Sequence, residues 1–283
     1  MAQDSTLLAA TLALDVPGAR IDVQCLLQHL LNVSRAYLLA YPERVLDEAE
    51  QLRYAELLQR RLNGEPIAYI VGEREFFGLM LQVTQATLIP RPETELLVEL
   101  ALQEIPETTS ISSAQDPAFR VLDLGTGSGA IALAIGAHRP TAQIVACDAS
   151  GPALAVARAN AQRLGIANVI FLPSNWYAGL DQQQFDLIIA NPPYVAAGDP
   201  HLDHGDLRFE PLTALVAGSD GLADICHIVG QAKAHLRSGG RLLLEHGYDQ
   251  AEAVRDLLRR ADFTAVFSAS DLAGIERVSG GRA

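Results

Sequence analysis

The chain has 283 residues, 49% of them apolar, and a formal net charge of −13. That length accommodates two modest domains at roughly 100–200 residues each, and the acidic balance argues against nucleic acid as the main partner, because phosphate binding draws its affinity from Lys and Arg. No apolar run approaches the ~20 residues of a membrane span and the N-terminus lacks the basic and apolar regions of a signal peptide, so the sequence reads as a soluble, cytoplasmic protein with no membrane partner.

The first ~65 residues carry helical periodicity without strand signals. Val23, Leu26, Leu27, Leu30 and Leu31 fall at helical spacing after Asp22, which reads as a cap. Ser34 reads as the cap of a short helix that stops near Tyr41-Pro42, and a longer one runs from about Arg44 to Asn63-Gly64, a C-terminal signal. From Glu75 to Ile89 the apolar residues Phe76, Phe77, Leu79, Leu81 and Val83 alternate enough to predict a hairpin. Ile89-Pro90-Arg91-Pro92-Glu93-Thr94-Glu95 then stiffens the chain and opens a helix, with acids in its first turn. Pro106 to Pro117, rich in Ser and Thr, reads as a loose connection.

From Phe119 onward strand and helix alternate. Strands are predicted at Phe119–Leu124, Gln143–Cys147, Val169–Leu172, Phe185–Ala190 and Arg241–Glu245, with a final antiparallel pair at Phe263–Phe267 and Glu276–Val278. Helices are expected near Ala130–Ala137, Pro152–Leu164, Leu222–Leu236 and Gln250–Arg260. This alternation predicts a largely parallel sheet with helices on both faces, an α/β fold. Cys25, Cys147 and Cys226 are scattered without Cys-x-x-Cys spacing, so neither a disulfide framework nor a metal site is expected.

Two stretches sit where an open α/β sheet binds its ligands, at the C-terminal ends of strands. Asp123-Leu124-Gly125-Thr126-Gly127-Ser128-Gly129 follows the first strand and precedes a helix; glycines let the chain turn and let a ligand approach the backbone. The next strand ends in Asp148, placed to accept hydrogen bonds from ribose hydroxyls. An adenosine-containing cofactor is therefore expected. Gly125, Gly127 and Ala130 satisfy the dinucleotide pattern GxGxx[GA], which keeps an NAD-dependent dehydrogenase in play. Asp123, just before the glycines, suits a cationic sulfonium better than a pyrophosphate, which favours S-adenosylmethionine. The second stretch is Asn191-Pro192-Pro193-Tyr194, which ends the apolar run Phe185–Ala190, because two prolines cannot continue a ladder.

Those motifs resemble a class I methyltransferase acting on a planar nitrogen, and more narrowly the peptide-chain-release-factor N5-glutamine methyltransferases of the PrmC/HemK type. Further matching stretches are Glu65–Gly72 with Phe76-Phe77-Gly78, Leu88–Glu95, Arg208–Pro211 with Gly218–Gly221, and Glu245–Tyr248, in family order from residue 65 nearly to the C-terminus. The resemblance implies a Rossmann-like, seven-stranded catalytic domain at 91–283, a β-hairpin linker at 73–90 and a helical substrate-recognition domain at 1–72. It implies that Asp123, Gly125, Thr126, Gly127, Ser128 and Gly129 line S-adenosylmethionine, that Asp148 holds its ribose, and that Asn175 and Trp176 lie at its adenine, with Asn191 also near the cofactor. Asn175 stands where the family commonly has Asp. The implied partner is a class 1 peptide chain release factor, methylated on the Gln of its Gly-Gly-Gln loop, and a monomer is the default state.

An amide nitrogen is a poor nucleophile, and no paired acid and base stands out to activate it. Orientation is the alternative. The Asn191 side-chain oxygen and the Pro192 carbonyl can each accept one N–H of a planar NH₂, with Pro193 shaping the contact and Tyr194 stacking on the amide face. Positioning can supply up to ~7–11 kcal/mol, against the ~3–5 kcal/mol equivalent of a general base. Glutamine N5 and adenine N6 both present such a group. An adenine N6-methyltransferase, which should show a basic groove beside Asn191, is the competing reading, with a non-catalytic cofactor-binding protein behind it. Glu210 and Arg91 are read as bracing or closing elements, and His246 as structural rather than a base.

Overall fold

The computed structural model describes residues 19–107, 118–203 and 205–283. Most of the predicted Pro106–Pro117 connection lies outside these residues, as does the start of the N-terminal periodicity. The chain divides into two compact units, one running to Glu73 and taking in Asp203–Phe209, the other holding Arg74–Leu202 and Glu210–Ala283.

The first unit is helical: α1 (Ala19–Leu31), α2 (Arg35–Ala40), α3 (Glu48–Leu62) and α4 (Ile67–Val71). Val23, Leu26, Leu27, Leu38, Leu46, Tyr54 and Ile70 form its core, so the helical spacing read in the sequence is the buried stripe. Ser34 caps α2 as expected, accepting from Tyr37 N. Asp22 is not a cap. It lies inside the first turn of α1, where its carboxylate accepts from Arg61 at 2.7 Å. The third helix starts at Glu48 rather than near Arg44, because Asp47 and Glu50 form a capping box while Arg44 pairs with Glu50 at 2.7 Å.

The second unit opens with a hairpin of β1 (Glu73–Phe76) and β2 (Leu79–Gln82). It is shorter than the predicted Glu75–Ile89 because residues 84–87 turn, with Thr87 N donating to Thr84 O at 3.0 Å and Ala86 N to Thr84 Oγ1 at 3.2 Å. After α5 (Glu95–Glu104) come β3 (Arg120–Leu124), α6 (Ala130–His138), β4 (Gln143–Asp148), α7 (Gly151–Leu164), β5 (Val169–Pro173), β6 (Phe185–Ala190), α8 (Ala223–His235), β7 (Leu236–Glu245), α9 (Ala251–Arg260), β8 (Thr264–Ser270) and β9 (Glu276–Arg282). They form a seven-stranded sheet in the order β5-β4-β3-β6-β7-β9-β8, parallel except where β9 meets its two neighbours.

Strand periodicity builds two cores. Val121, Ile144, Leu187, Ile189 and Leu243 face one side with α5 and α6, while Leu122, Leu124, Val145, Ile188, Leu242 and Leu244 face the other with α8 and α9. This is why these strands read as continuous apolar runs. β7 begins five residues before the predicted Arg241. A register shift between Phe185 and Leu187 absorbs residues 237–240, so Gly239-Gly240 does not end the strand. β8 and β9 also outrun their predicted ends, β9 continuing through Gly280-Gly281 paired with Leu243 and Leu242. No described helix is long and apolar enough to cross a membrane.

Asn160, fully buried on α7, ties the hairpin to the body: its Oδ1 accepts from Gln82 N at 2.7 Å, and its Nδ2 donates to Gln82 O and to Ser128 O, both at 2.9 Å. Replacing it by Leu strands three backbone groups. The Asn160→Leu protein is expected to lose about 3 kcal/mol of unfolding free energy, read from the denaturant midpoint at unchanged m-value.

Candidate active site

Register places the site. Across the sheet Leu172, Cys147, Leu124, Ala190 and Leu244 lie in one row of the parallel ladders, so Asp148, Gly125, Asn191 and Glu245 leave four adjacent strands at one level. Chain order reverses between β3 and β6, which is the switch point of an open α/β sheet. A cavity of about 560 Å³ opens there, lined by Gly125–Ser128, Asp148, Asn175, Trp176, Asn191 and Pro193, and by Arg91, Thr94, Thr213 and Asp224.

The glycine loop is fixed from behind. Gly125 N and Thr126 N both donate to Cys147 O at 2.9 Å, and Gly127 N donates to Asp148 Oδ2 at 2.9 Å. Gly125 has φ +75°, and a Cβ there would come within 3.3 Å of the Trp176 ring, so only glycine serves both the turn and the aromatic neighbour. Asp148 takes a second donor, Ser150 N, on Oδ1 at 2.8 Å, yet stays on the cavity wall with lone pairs for further donors. Trp176 sits at φ +50°, an uncommon conformation for a large side chain. Ser174 Oγ donates to its carbonyl at 2.7 Å and its indole donates to Asp224 Oδ1 at 3.2 Å.

Asp123 and Gly129 are not on the wall. Asp123 lies fully buried beneath the loop, where Oδ2 accepts from Thr126 Oγ1 at 2.6 Å and the Ala132 backbone N–H is a further partner of the carboxylate. It shapes the loop from below. Among the motif residues after β6, Asn191 and Pro193 line the cavity, while Pro192 is buried and Tyr194 packs into the core behind. Asn191 Nδ2 donates to Thr94 Oγ1 at 3.1 Å, and the Tyr194 hydroxyl donates to Glu245 Oε1 at 3.5 Å. Glu210 is buried and is not among the residues lining the cavity; it pairs with the Arg91 guanidinium and accepts from Ile89 N at 3.4 Å, so the two brace the loop after Tyr194. His246 is fully buried between Ser279 Oγ and Gly247 O, a structural place as read.

Thr94, Glu245 and Asn160 have no assigned role in the sequence reading. Their signal was a neutral hydroxyl in an acid-rich turn, a carboxylate closing the apolar run Leu242-Leu243-Leu244, and an amide among the alanines of α7. Burial pushes the Glu245 carboxyl up to about 7.

Comparison with known proteins agrees with this geometry. The PrmC N-terminal domain family matches residues 6–72 and the methyltransferase small domain family residues 102–206. The chain is 48% identical to a release factor glutamine methyltransferase of Salmonella typhimurium, covering 95% of this chain and 94% of the relative. It is 50% identical to one of Bordetella pertussis, covering 94% and 96%. Among solved structures a methyltransferase of Pyrococcus furiosus shares the fold at 17% identity and a TM-score of 0.52, over 81% of this chain and 98% of that one.

Burial lifts the Asp123 carboxyl from 3.8 to about 7. The folded chain thus keeps a proton that the unfolded chain releases near pH 4, and this group's contribution to stability falls as pH rises between those values. Asp123→Asn removes the ionisation. Its stability relative to wild type, followed by thermal melting of ligand-free protein, is expected to improve from about pH 4 to about pH 8 by up to roughly 4 kcal/mol at ~1.4 kcal/mol per unit; a pH-independent difference would mean the buried carboxylate carries no such cost.

Proposed function

The chain belongs to the family of release factor glutamine methyltransferases, and from that premise we propose that Asn191 is where it holds the glutamine side chain. The reaction is transfer of a methyl group from S-adenosylmethionine to the side-chain N5, here assigned to the glutamine of the Gly-Gly-Gln motif of class 1 release factors. What carries this reading is adjacency: Leu124 and Ala190 pair directly, so the glycine loop and Asn191 leave neighbouring strands side by side.

The donor set fits S-adenosylmethionine. Backbone N–H groups of a tight glycine loop, a carboxylate at the next strand end and an indole face surround one cavity. Its charged lining residues are Asp148, Asp224 and Arg91, and Arg91 is already paired with Glu210, so the wall suits a cation better than a phosphate chain. When bound, the cofactor supplies an electrophilic methyl group on sulfur. Gly125–Ser128 would hold its amino-acid end, Asp148 its ribose hydroxyls, and Asn175 with Trp176 its adenine.

The chain's own residues then act by orientation. With Nδ2 committed to Thr94, Asn191 has Oδ1 left to accept one N–H of the substrate amide, and the Pro192 carbonyl takes the other. Two acceptors fix the amide plane and turn the nitrogen toward the cofactor. Tyr194 closes the site from behind; burial keeps its phenol protonated and directed at Glu245. Among the described residues no Lys or His lines the cavity, and Asp148 and Asp224 are engaged as acceptors, which suits positioning rather than general-base chemistry.

A glutamine in a glycine-rich loop can extend into such a cavity without unfolding its domain. On this reading residues 1–72 recognise the body of the factor, 73–90 link, and 91–283 carry the chemistry. The helical unit bears exposed Leu39, Tyr41, Val45 and Leu52, the apolar side chains a protein partner would cover. A translation factor as substrate also assigns the enzyme to the cytoplasm.

Labelled S-adenosylmethionine incubated with purified release factor and this protein should place one methyl on the Gly-Gly-Gln glutamine, mapped by mass spectrometry; label that persists after that glutamine is changed to alanine would sink the assignment. Asn191→Ala should abolish transfer while cofactor affinity stays within roughly tenfold, about 1.4 kcal/mol.

A further inference from the structure

Asn191 can turn either end of its amide toward a ligand, and two buried residues decide which. Thr94, 4% exposed, accepts from Asn191 Nδ2 at 3.1 Å. A hydroxyl has one proton to give, and that of Thr94 goes to the Glu245 carboxylate, its other hydrogen-bond partner. Glu245 is 2% exposed; its Oε1 takes the Tyr194 hydroxyl at 3.5 Å, and its Oε2 has no hydrogen-bond partner among the described residues. Above the pH of about 7 at which it loses its proton, a carboxylate this short of donors holds the ones it has. If the Asn191 amide turned over, Oδ1 would face Thr94, draw its proton, and take it from Glu245.

We propose that Thr94 and Glu245 are positioning residues that set the direction of hydrogen bonding through Asn191, holding its Oδ1 toward the substrate so that the site takes an amide NH₂ and refuses a carboxylate. The inference rests on the reading of Asn191 as the acceptor of a substrate N–H and adds to it what fixes that acceptor. Direction matters because the opposite arrangement would present NH₂ to NH₂, a contact of donors that repels glutamine, while offering donors to glutamate. The relay Glu245–Thr94–Asn191 thus discriminates glutamine from its acid by the direction of its hydrogen bonds. Its parts come from three places the fold brings together: the turn before α5, the end of β6 and the end of β7.

The test is a set of variants measured for kcat, KM, cofactor affinity and melting temperature, with release factor carrying Gly-Gly-Gln as substrate and factor carrying Gly-Gly-Glu as competitor. Thr94→Val should lower kcat roughly 10- to 100-fold, with cofactor affinity unchanged and the Gly-Gly-Glu factor competing more strongly than it does against wild type. Thr94→Ser, which keeps the hydroxyl, should restore most of the rate and the discrimination. Asn191→Asp cannot donate to Thr94 and should be nearly inactive well above pH 7, where Glu245 is ionised. Adding Glu245→Gln supplies a donor at the far end of the relay, reverses its direction and should recover roughly tenfold of that loss; adding Glu245→Met, which removes the charge without a donor, should not. Thr94→Val with wild-type kcat and discrimination, alongside an inactive Asn191→Ala, overturns the relay alone. Wild-type turnover in Asn191→Ala overturns the acceptor reading beneath it. If Thr94→Val does not fold, the double variants decide: equal recovery with Gln and Met, or none with Gln, overturns the relay.

Discussion

The register of four parallel strands is the constraint on which the site depends. Cys147, Leu124, Ala190 and Leu244 lie in one row, so Asp148, the glycine loop, the Asn191 amide and a buried carboxylate emerge side by side from β4, β3, β6 and β7. A slip of one residue in any ladder would turn that strand's side chains to the opposite core and lift its functional residue out of the row. The two cores prevent such a slip, because alternate residues of each strand are already committed to opposite helix layers. Packing that has nothing to do with chemistry thereby sets the distances on which the chemistry relies.

Beneath that row the protein keeps two buried carboxyls, Asp123 and Glu245. Burial lifts both to about 7. Groups so placed lower the stability of the folded state at neutral pH and persist where their acceptor capacity is used. Asp123 uses it on Thr126, and so on the loop that lines the cavity; Glu245 uses it on Thr94 and Tyr194. Neither touches the cavity wall. These two acids act one residue back from the cavity, whose wall carries Asp148 and Asp224 beside hydroxyls, amides and backbone.

Much of this was legible in the sequence because it rests on local chemistry. Strand and helix alternation, the glycine loop, Asp148 and the proline stop after Ala190 are each written in consecutive residues, and each stands where it was expected. Element ends were less legible. Asp47 rather than Asp22 caps a helix, and Gly239-Gly240 and Gly280-Gly281 lie inside strands, because tertiary pairing decides whether a cap or a glycine acts as one. The supports were illegible for a stronger reason. Thr94, Asn160 and Glu245 are 97, 78 and 51 residues from the partners they hold, Asn191, Gln82 and Tyr194. No window of sequence contains both halves of such a contact.

The loop after β6 shows why support matters more than charge here. Its prolines fix two backbone angles, yet a proline constrains φ and leaves the direction of a side-chain amide free. Thr94 supplies that at Asn191, Glu245 holds the Tyr194 hydroxyl, and Gln250 Nε2 donates to the Tyr194 carbonyl at 3.1 Å. Gly221 completes the clamp: it has φ +73°, and a Cβ there would fall 2.2 Å from the Tyr194 carbonyl oxygen, so the backbones meet only because one side is bare. Each contact removes one freedom that the prolines leave. A planar amide needs its plane fixed before its nitrogen points anywhere, and a catalyst that works by orientation must hold its own acceptors at least as firmly as it holds the substrate. The glycine loop and Asp148 leave β3 and β4, while Asn191 is braced from β7 and the turn before α5, so loosening Asn191 would leave the glycine loop and Asp148 in place.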